Sequence, residues 1–364
     1  MRFLKQNRVA ILTAQMLCAG LLVTPAAAET WCSEGTPPDP VIQSLRDDAG
    51  RLFAGHPRAV AHVHTEGTLP HQGIRDESVE AERDWPLIRE EALLWRTAHD
   101  RQALDRLTLL LDAWSSLYQP NFNPIDETNF DSFIDAYAMT KDDLPPATRD
   151  RLAGLIRKWG EGYVKSMQTQ TNPLDSSGTQ AHSEVNKGSK WSTNWQSHRI
   201  KLATLSAVVL DDAKLFEASR ALFKQQIGAN LHEDGMSTDF EERDALHYTT
   251  YDLEPLVRAA MAARVRGEDW LTLKGDNGAS LKAGLDWLLP YARGEKTHEE
   301  YVHTKIKFDL QRRDAGMPGF SGMWEPASAA NLYWTASTLD AAYIPVAKLL
   351  KAAPPPWVAA CWKS

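Results

Sequence analysis

The strongest constraint on this chain is a helical repeat of apolar residues, sustained along most of its length. Between residues 101 and 118, Leu104, Leu107, Leu111, Trp114 and Tyr118 recur at steps of three, four and seven and so share one helix face. Residues 147–167 repeat the pattern with Leu152, Leu155, Ile156, Trp159 and Val164, and helices are expected again over 200–210, 213–227, 253–265, 281–289 and 332–350. Asp211 and Asp212 separate two of these helices and can cap the second. There is no convincing strand ladder and no Gly-rich phosphate loop, so the chain reads as mostly helical and an all-α fold class is expected. Connections at 119–146, 168–192 and 228–246 are longer than packed helices require, which often marks function.

Residues 1–28 stand apart from this repeat. Arg2, Lys5 and Arg8 precede an apolar run ending near Val23, and Pro25, Ala26, Ala27 and Ala28 follow. That is the form of a secretory signal peptide with a small-residue cleavage site. The run is shorter than the ~20 residues a membrane span needs, so no membrane insertion is expected and the destination is periplasmic or secreted. No composition break divides residues 29–364, which read as a single domain. Outside the leader there are two cysteines, Cys32 and Cys361, near opposite ends of the chain. An oxidising compartment permits disulfides and domain termini often lie close together, so these two are expected to pair.

The full chain of 364 residues carries a formal charge of -8, and without the three basic leader residues it has 37 basic against 48 acidic residues, a net -11. Such a chain is a poor partner for nucleic acid or an anionic membrane. It would also repel an acidic glycan, unless a cleft gathers basic groups such as Lys187, Lys190, Arg199, Lys305, Lys307, Arg312 and Arg313.

Chemistry-bearing residues concentrate in two clusters on either side of a helical hairpin. The first reads KWSTNWQSHRIKLATLSAVVL from Lys190 and includes Trp191, Asn194, Trp195, His198 and Arg199. The second reads DFEERDALHYTTYDLEP from Asp239 and includes Arg243, His247, Tyr248 and Tyr251. Asn194 and His198 are one helical turn apart. Arg243, His247 and Tyr251 step by four and would align on one face if the segment were helical throughout, although Asp252 and Pro255 suggest that a helix begins near Tyr251. Asn, Arg, His and Tyr are the residues that β-elimination at a uronate demands. The carboxylate must be neutralised, the C5 proton removed and the departing O4 protonated.

At these residues the chain resembles the alginate lyases and related uronan lyases, over roughly residues 60–345. Their first motif reads Asn-Asn-His-x-Tyr-Trp ahead of a small-residue helix ending in Val-Val-Leu, and TNWQSHRIKLATLSAVVL occupies that place. Their second, Arg-Ala-Leu-x-Tyr-x-x-Tyr, is echoed by RDALHYTTYDLEPL. The resemblance implies an (α/α) toroid of antiparallel helix pairs with the long loops over a cleft, an anionic polysaccharide substrate and no cofactor. It implies that Asn194 and Arg243 neutralise the carboxylate. Tyr248 or Tyr251 would protonate O4, and His198 or the same tyrosine would remove the C5 proton. Two departures mark a divergent branch. Trp195 stands where the family has its histidine, and Arg243 lies one residue farther from the tyrosines, with Asp244 at the family's arginine position.

Further candidates for substrate contact are His64, Glu66 and Gln72 in the loop AHVHTEGTLPHQG, together with Lys190, Trp191, Trp195, Arg199 and His247. The His62-x-His64 spacing invites a metal reading, but zinc needs three or four converging ligands, and substrate contact or loop structure is preferred. Among the thirteen tryptophans, Trp324 and Trp334 also flank polar stretches. Asn121, Asn123, Asp126, Glu127 and Asn129 form a polar run that suits subsite or turn chemistry. Two other readings remain open at this point. One is a glycoside hydrolase using Asp239, Glu241 and Glu242, which would need two carboxyls at a set separation. The other is a glycan-binding protein without catalysis.

Overall fold

The computed structural model describes residues 31–32, 37–170 and 191–361, and among them there are helices and two isolated bridges but no strand. The first helices are α1 (Asp39–Leu52), α2 (Arg75–Ala81), α3 (Asp84–Ala98), α4 (Arg101–Leu117), α5 (Asp131–Thr140) and α6 (Pro146–Thr169). They are followed by α7 (Asn194–Val209), α8 (Ala213–Asn230), α9 (Thr238–Arg243), α10 (Leu246–Val265) and α11 (Leu281–Ala292). Shorter helices complete the chain: α12 (Lys307–Asp314), α13 (Ala330–Ala336), α14 (Ile344–Leu350) and α15 (Pro356–Cys361).

Helix α7 is the centre of this arrangement, packing on α5, α6, α8 and α10. Its second half is small or apolar on every side, as a helix buried all round must be. Its first half brings Asn194, Gln196, Ser197, His198, Arg199 and Lys201 into the interior, and these polar groups need partners there. Close approach of α6 depends on Gly160, where a Cβ would lie 2.7 Å from Leu215 and 2.9 Å from Ser206. Asp212 accepts from the Leu215 N–H and caps α8, as its place in the sequence suggests.

Phe130 anchors the 3₁₀ turn Thr128–Phe130 in the core. Its ring sits 4.6 Å from Trp85, 4.7 Å from Trp159 and 4.5 Å from Tyr118. A buried aromatic junction of this kind leaves the nearby Thr128 little freedom.

Three expectations about the elements change. The connection at 119–146 is not a long loop, because α5 lies inside it, and 228–246 likewise contains α9. The expected helix over 332–350 is broken into α13, a 3₁₀ turn and α14. Asp340 turns the chain by accepting from Ala342 N, and Pro345 in the first turn of α14 has no N–H with which to continue an earlier helix. Helix α10 begins at Leu246 rather than near Tyr251, and runs through Pro255. Proline there removes the hydrogen bond that would reach the Tyr251 carbonyl.

Cys32 and Cys361 form a disulfide with their Cα atoms 4.3 Å apart, so α15 is tied to the start of the described chain. Trp324 and Trp334 are buried in the core, Trp334 donating to the Lys351 carbonyl. No helix among the described residues is long and apolar enough to cross a membrane. The leader at 1–28, Lys187 and Lys190 lie outside the described residues.

Candidate active site

The N-terminus of α7 meets α9 and the start of α10 around one carboxylate. Asp239, fully buried, accepts from the Asn194 backbone N–H at 2.6 Å and from Asn194 Nδ2 at 2.7 Å. It also faces Arg243 Nε at 3.3 Å, one turn along α9. Arg243 places Nη1 2.6 Å from Asp309, which precedes Arg312 on α12. Burial opposes the charge on the Arg243 guanidinium, but Tyr248, Asp309 and Asp239 together outweigh it, and the pKa is raised.

Arg243, His247 and Tyr251 do not share one helix face. Helix α9 stops at Arg243, and Asp244 takes a left-handed conformation at φ 52° before α10 starts. That turn absorbs the extra residue between the arginine and the tyrosines. It is pinned from outside, since the Asp244 carbonyl accepts from Tyr301 N and its carboxylate from His303 N. The result carries the Arg243 guanidinium back over the Tyr248 ring, 3.9 Å from its centroid. Arg312 Nη1 donates to the Tyr248 hydroxyl at 2.7 Å. Tyr248 thus has one cation on its face and another at its oxygen.

Tyr251 follows on the next turn of α10. Its ring lies edge-on to Tyr248 at 6.2 Å and packs on His198 at 4.4 Å. Burial raises the Tyr251 pKa, so the phenol keeps its proton at neutral pH. His198 is 3 % exposed, and burial pushes its pKa well below the usual histidine value, so the ring is neutral. Its Nδ1 lies 2.6 Å from Thr128 Oγ1, while its Nε2 is buried with no hydrogen-bond partner among the described residues. Asn194, Arg243, Tyr248, Tyr251 and His198 are thereby joined in one run of contacts.

The aromatic and loop candidates flank this run. Arg199 is buried between Trp191 and Trp195, 4.0 Å and 5.7 Å from their centroids, and burial lowers its pKa to about 9. His247 is solvent-exposed beside Tyr248 and Phe320, and its N–H donates to Glu300. His64 Nδ1 and the backbone N–H groups of Thr65 and Glu66 all bond to buried Asp126. That carboxylate belongs to the polar run at 121–129, so the histidine loop is fastened to the segment bearing Thr128. Next to it, buried Glu127 accepts from Tyr118 and Tyr163, and burial raises its pKa to about 7. Gln72 is exposed and accepts from Leu69 N, remote from any contact with this run among the described residues. No group of three or more His, Cys, Asp or Glu among the described residues is placed to hold a metal ion.

Sequence reasoning passes over Asp309, Thr128 and Lys201, and offers Asp239 only as a hydrolase carboxylate. The i,i+4 spacing of Asp239 to Arg243 on one short helix is the legible sign of an ion pair instead. Thr128 and Asp309 carry no local signal, because the partners they serve are 70 and 66 residues away.

A family model described as alginate lyase matches residues 25–298. The chain belongs to the alginate lyase family. It is a polysaccharide lyase. The structure of an alginate lyase from Bacteroides ovatus superposes with a TM-score of 0.61 at 15% identity, covering 89% of this chain and 93% of that one. Alginate lyase A1-III from Sphingomonas species A1 gives a TM-score of 0.50 at 14% identity, covering 84% of this chain and 95% of that one. A variant of A1-III complexed with a tetrasaccharide gives 0.51 at 16%, covering 75% and 80%. No curated protein sequence matches the chain. The helices of this lyase accordingly form the (α/α) toroid of these enzymes. Neither hydrolysis nor glycan binding without catalysis fits this family, and Asp239 is already held by Asn194 and Arg243.

Proposed function

We propose that this protein is an exported uronan lyase that cleaves a mannuronate- or glucuronate-type polymer by β-elimination at the Asn194–Arg243–Tyr248–Tyr251–His198 site. The observation that carries the reading is the packing of Tyr251 on His198, whose buried Nε2 has no hydrogen-bond partner among the described residues. A phenol that keeps its proton and an open imidazole nitrogen lie side by side, next to the arginine that α9 delivers.

Each role rests on the hydrogen-bonding capacity a group has left. Asn194 commits one side-chain N–H to Asp239, leaving the second for a substrate oxygen. Arg243 donates from Nη1 to Asp309 and pairs by charge with Asp239, and keeps Nη2 for the uronate carboxylate. Neutralising that carboxylate makes the C5 proton removable. Tyr251 protonates the departing O4, and a tyrosine or His198 takes the C5 proton. Should Tyr248 lose a proton, the charge on its oxygen would meet Arg312 directly. Export rests on the leader-like segment at 1–28.

The test is to incubate the mature protein with alginate, polymannuronate and glucuronan while following ultraviolet absorbance from unsaturated product ends. Growth of that absorbance on one of the three is expected. New reducing ends without it would mean hydrolysis and would overturn the proposal.

A further inference from the structure

We propose that Thr128, oriented by Lys201, fixes His198 as the neutral tautomer protonated on Nε2, so that His198 acts as a hydrogen-bond donor to the substrate rather than as the base. The assignment rests on the lyase reading and gives one of its residues a definite role.

The protons at this junction can be counted. Lys201 Nζ has three N–H groups, and three acceptors surround it: the Thr128 carbonyl, Thr128 Oγ1 at 3.2 Å and Asp131 Oδ2 at 3.4 Å. An ammonium N–H therefore points at Thr128 Oγ1, and the threonine must direct its own hydroxyl proton elsewhere. Its one remaining neighbour at hydrogen-bond distance among the described residues is His198 Nδ1, at 2.6 Å. Thr128 O–H donates, Nδ1 accepts, and the ring proton of a neutral imidazole must then sit on Nε2. The reverse arrangement, with Nδ1–H donating to the threonine, would leave the hydroxyl proton without an acceptor among the described residues.

Lys201 is held in turn by charges on three helices. Asp131 on α5 is shared by Lys201, Arg89 at 2.8 Å and Arg258 at 3.9 Å. Asp135 pairs with Arg89 at 2.7 Å and Arg258 at 2.8 Å. The ammonium thus has a compensated position although it is buried. The product of this network is a single N–H on His198, buried, unpaired and beside the Tyr251 ring. A buried donor left unmatched is unfavourable until an acceptor arrives, and a uronate oxygen supplies one. In this tautomer both lone-pair sites of the ring are unavailable to the C5 proton: Nδ1 accepts from Thr128 and Nε2 is protonated.

The deciding measurement is the tautomer itself, read from the 15N shifts and two-bond couplings of histidine-labelled protein, with the His198 signals assigned by their loss in His198→Gln. The protonated-nitrogen signature on Nε2 is expected near neutral pH without substrate; the signature on Nδ1 would overturn the proposal. Thr128→Val should redistribute the proton between the two nitrogens and lower kcat by about tenfold or more with KM little changed, and Thr128→Ser should restore both. An unchanged tautomer and unchanged kcat in Thr128→Val would also overturn it. Adding a saturated mannuronate oligomer to Tyr251→Phe should shift the Nε2 resonance; no shift at saturating ligand refutes the donor role. Should the native protein cleave no uronan, the lyase reading fails while the tautomer of the free protein still decides this assignment.

Discussion

Asp239 is the residue on which the site is hung, and Asp239→Asn tests that directly. The carboxylate accepts two hydrogen bonds from Asn194 and faces Arg243. An asparagine presents one acceptor and one donor, so one Asn194 N–H is left facing another N–H. A buried donor orphaned in this way costs about 1–3 kcal/mol. Arg243 loses one of two counter-charges and keeps Asp309, so the ion-pair loss is a fraction of the about 3–5 kcal/mol for breaking a buried pair outright. Together the change is about 3 kcal/mol. With an unfolding entropy of about 2.1 cal/mol/K per residue over 364 residues, that lowers Tm by about 4 °C. Activity should suffer far more than stability. In the proposed mechanism Asn194 and Arg243 both lose the orientation that serves the substrate carboxylate, so kcat/KM should fall about 10²–10³-fold. Asp309→Asn is the control, because it weakens the hold on Arg243 without touching Asn194, and its loss should be smaller. Calorimetry and initial rates of ultraviolet absorbance give both numbers. If Asp239→Asn kept kcat/KM within about threefold of native, against the loss expected from removing a preorganised donor, the carboxylate would not be organising the site.

The Tyr251 hydroxyl bonds to no other described residue, so Tyr251→Phe should leave Tm nearly unchanged while kcat falls by about 10²–10⁴; a loss of less than tenfold would remove Tyr251 from the acid role. Glu127 has its pKa raised from 4.5 to about 7 by burial, so between those values the folded protein holds a proton the unfolded chain has released. Its stabilising contribution is therefore complete below pH 4.5 and lost as pH rises through about 7, by about 3 kcal/mol in all. Glu127→Gln keeps an acceptor for Tyr118 and does not titrate, so denaturant curves of the two proteins at pH 4.5 and pH 8 should diverge by that amount; parallel behaviour would refute the shift. Removing the disulfide in Cys32→Ser/Cys361→Ser opens a loop whose ends are 329 positions apart in sequence and should destabilise by about 2–5 kcal/mol, with the native protein showing the same loss under reducing conditions.

Helices, caps and the composition of the site are legible in the chain because they depend on near neighbours. The step of Leu104, Leu107 and Leu111 specifies a buried face whatever it packs on, and Asp212 caps α8 with atoms three residues away. The helix expected across 332–350 fails for a local reason that is also readable, the proline at 345. The two clusters around Asn194 and Tyr251 are recognisable because two family-like motifs stand at each side of a helical hairpin. The hydrogen-bond partner of each polar group is not readable in this way. Asp239 has the look of a hydrolytic acid in the sequence, and in the fold its acceptors are filled by Asn194.

Periodicity and residue type are local properties that survive whatever the chain packs against. They are enough to specify a helical protein and to gather Asn, Arg, His and Tyr, the residue types that the proposed elimination uses, into two clusters. Which of those groups remain open is a matter of tertiary contacts. The left-handed turn at Asp244 lays Arg243 on Tyr248, the aromatic junction around Phe130 sets Thr128 against His198, and Pro255 leaves the Tyr251 turn without its usual backbone bond. Arg243 and His198 owe their settings to segments distant in the chain, and buried polar groups take whatever partners such contacts supply.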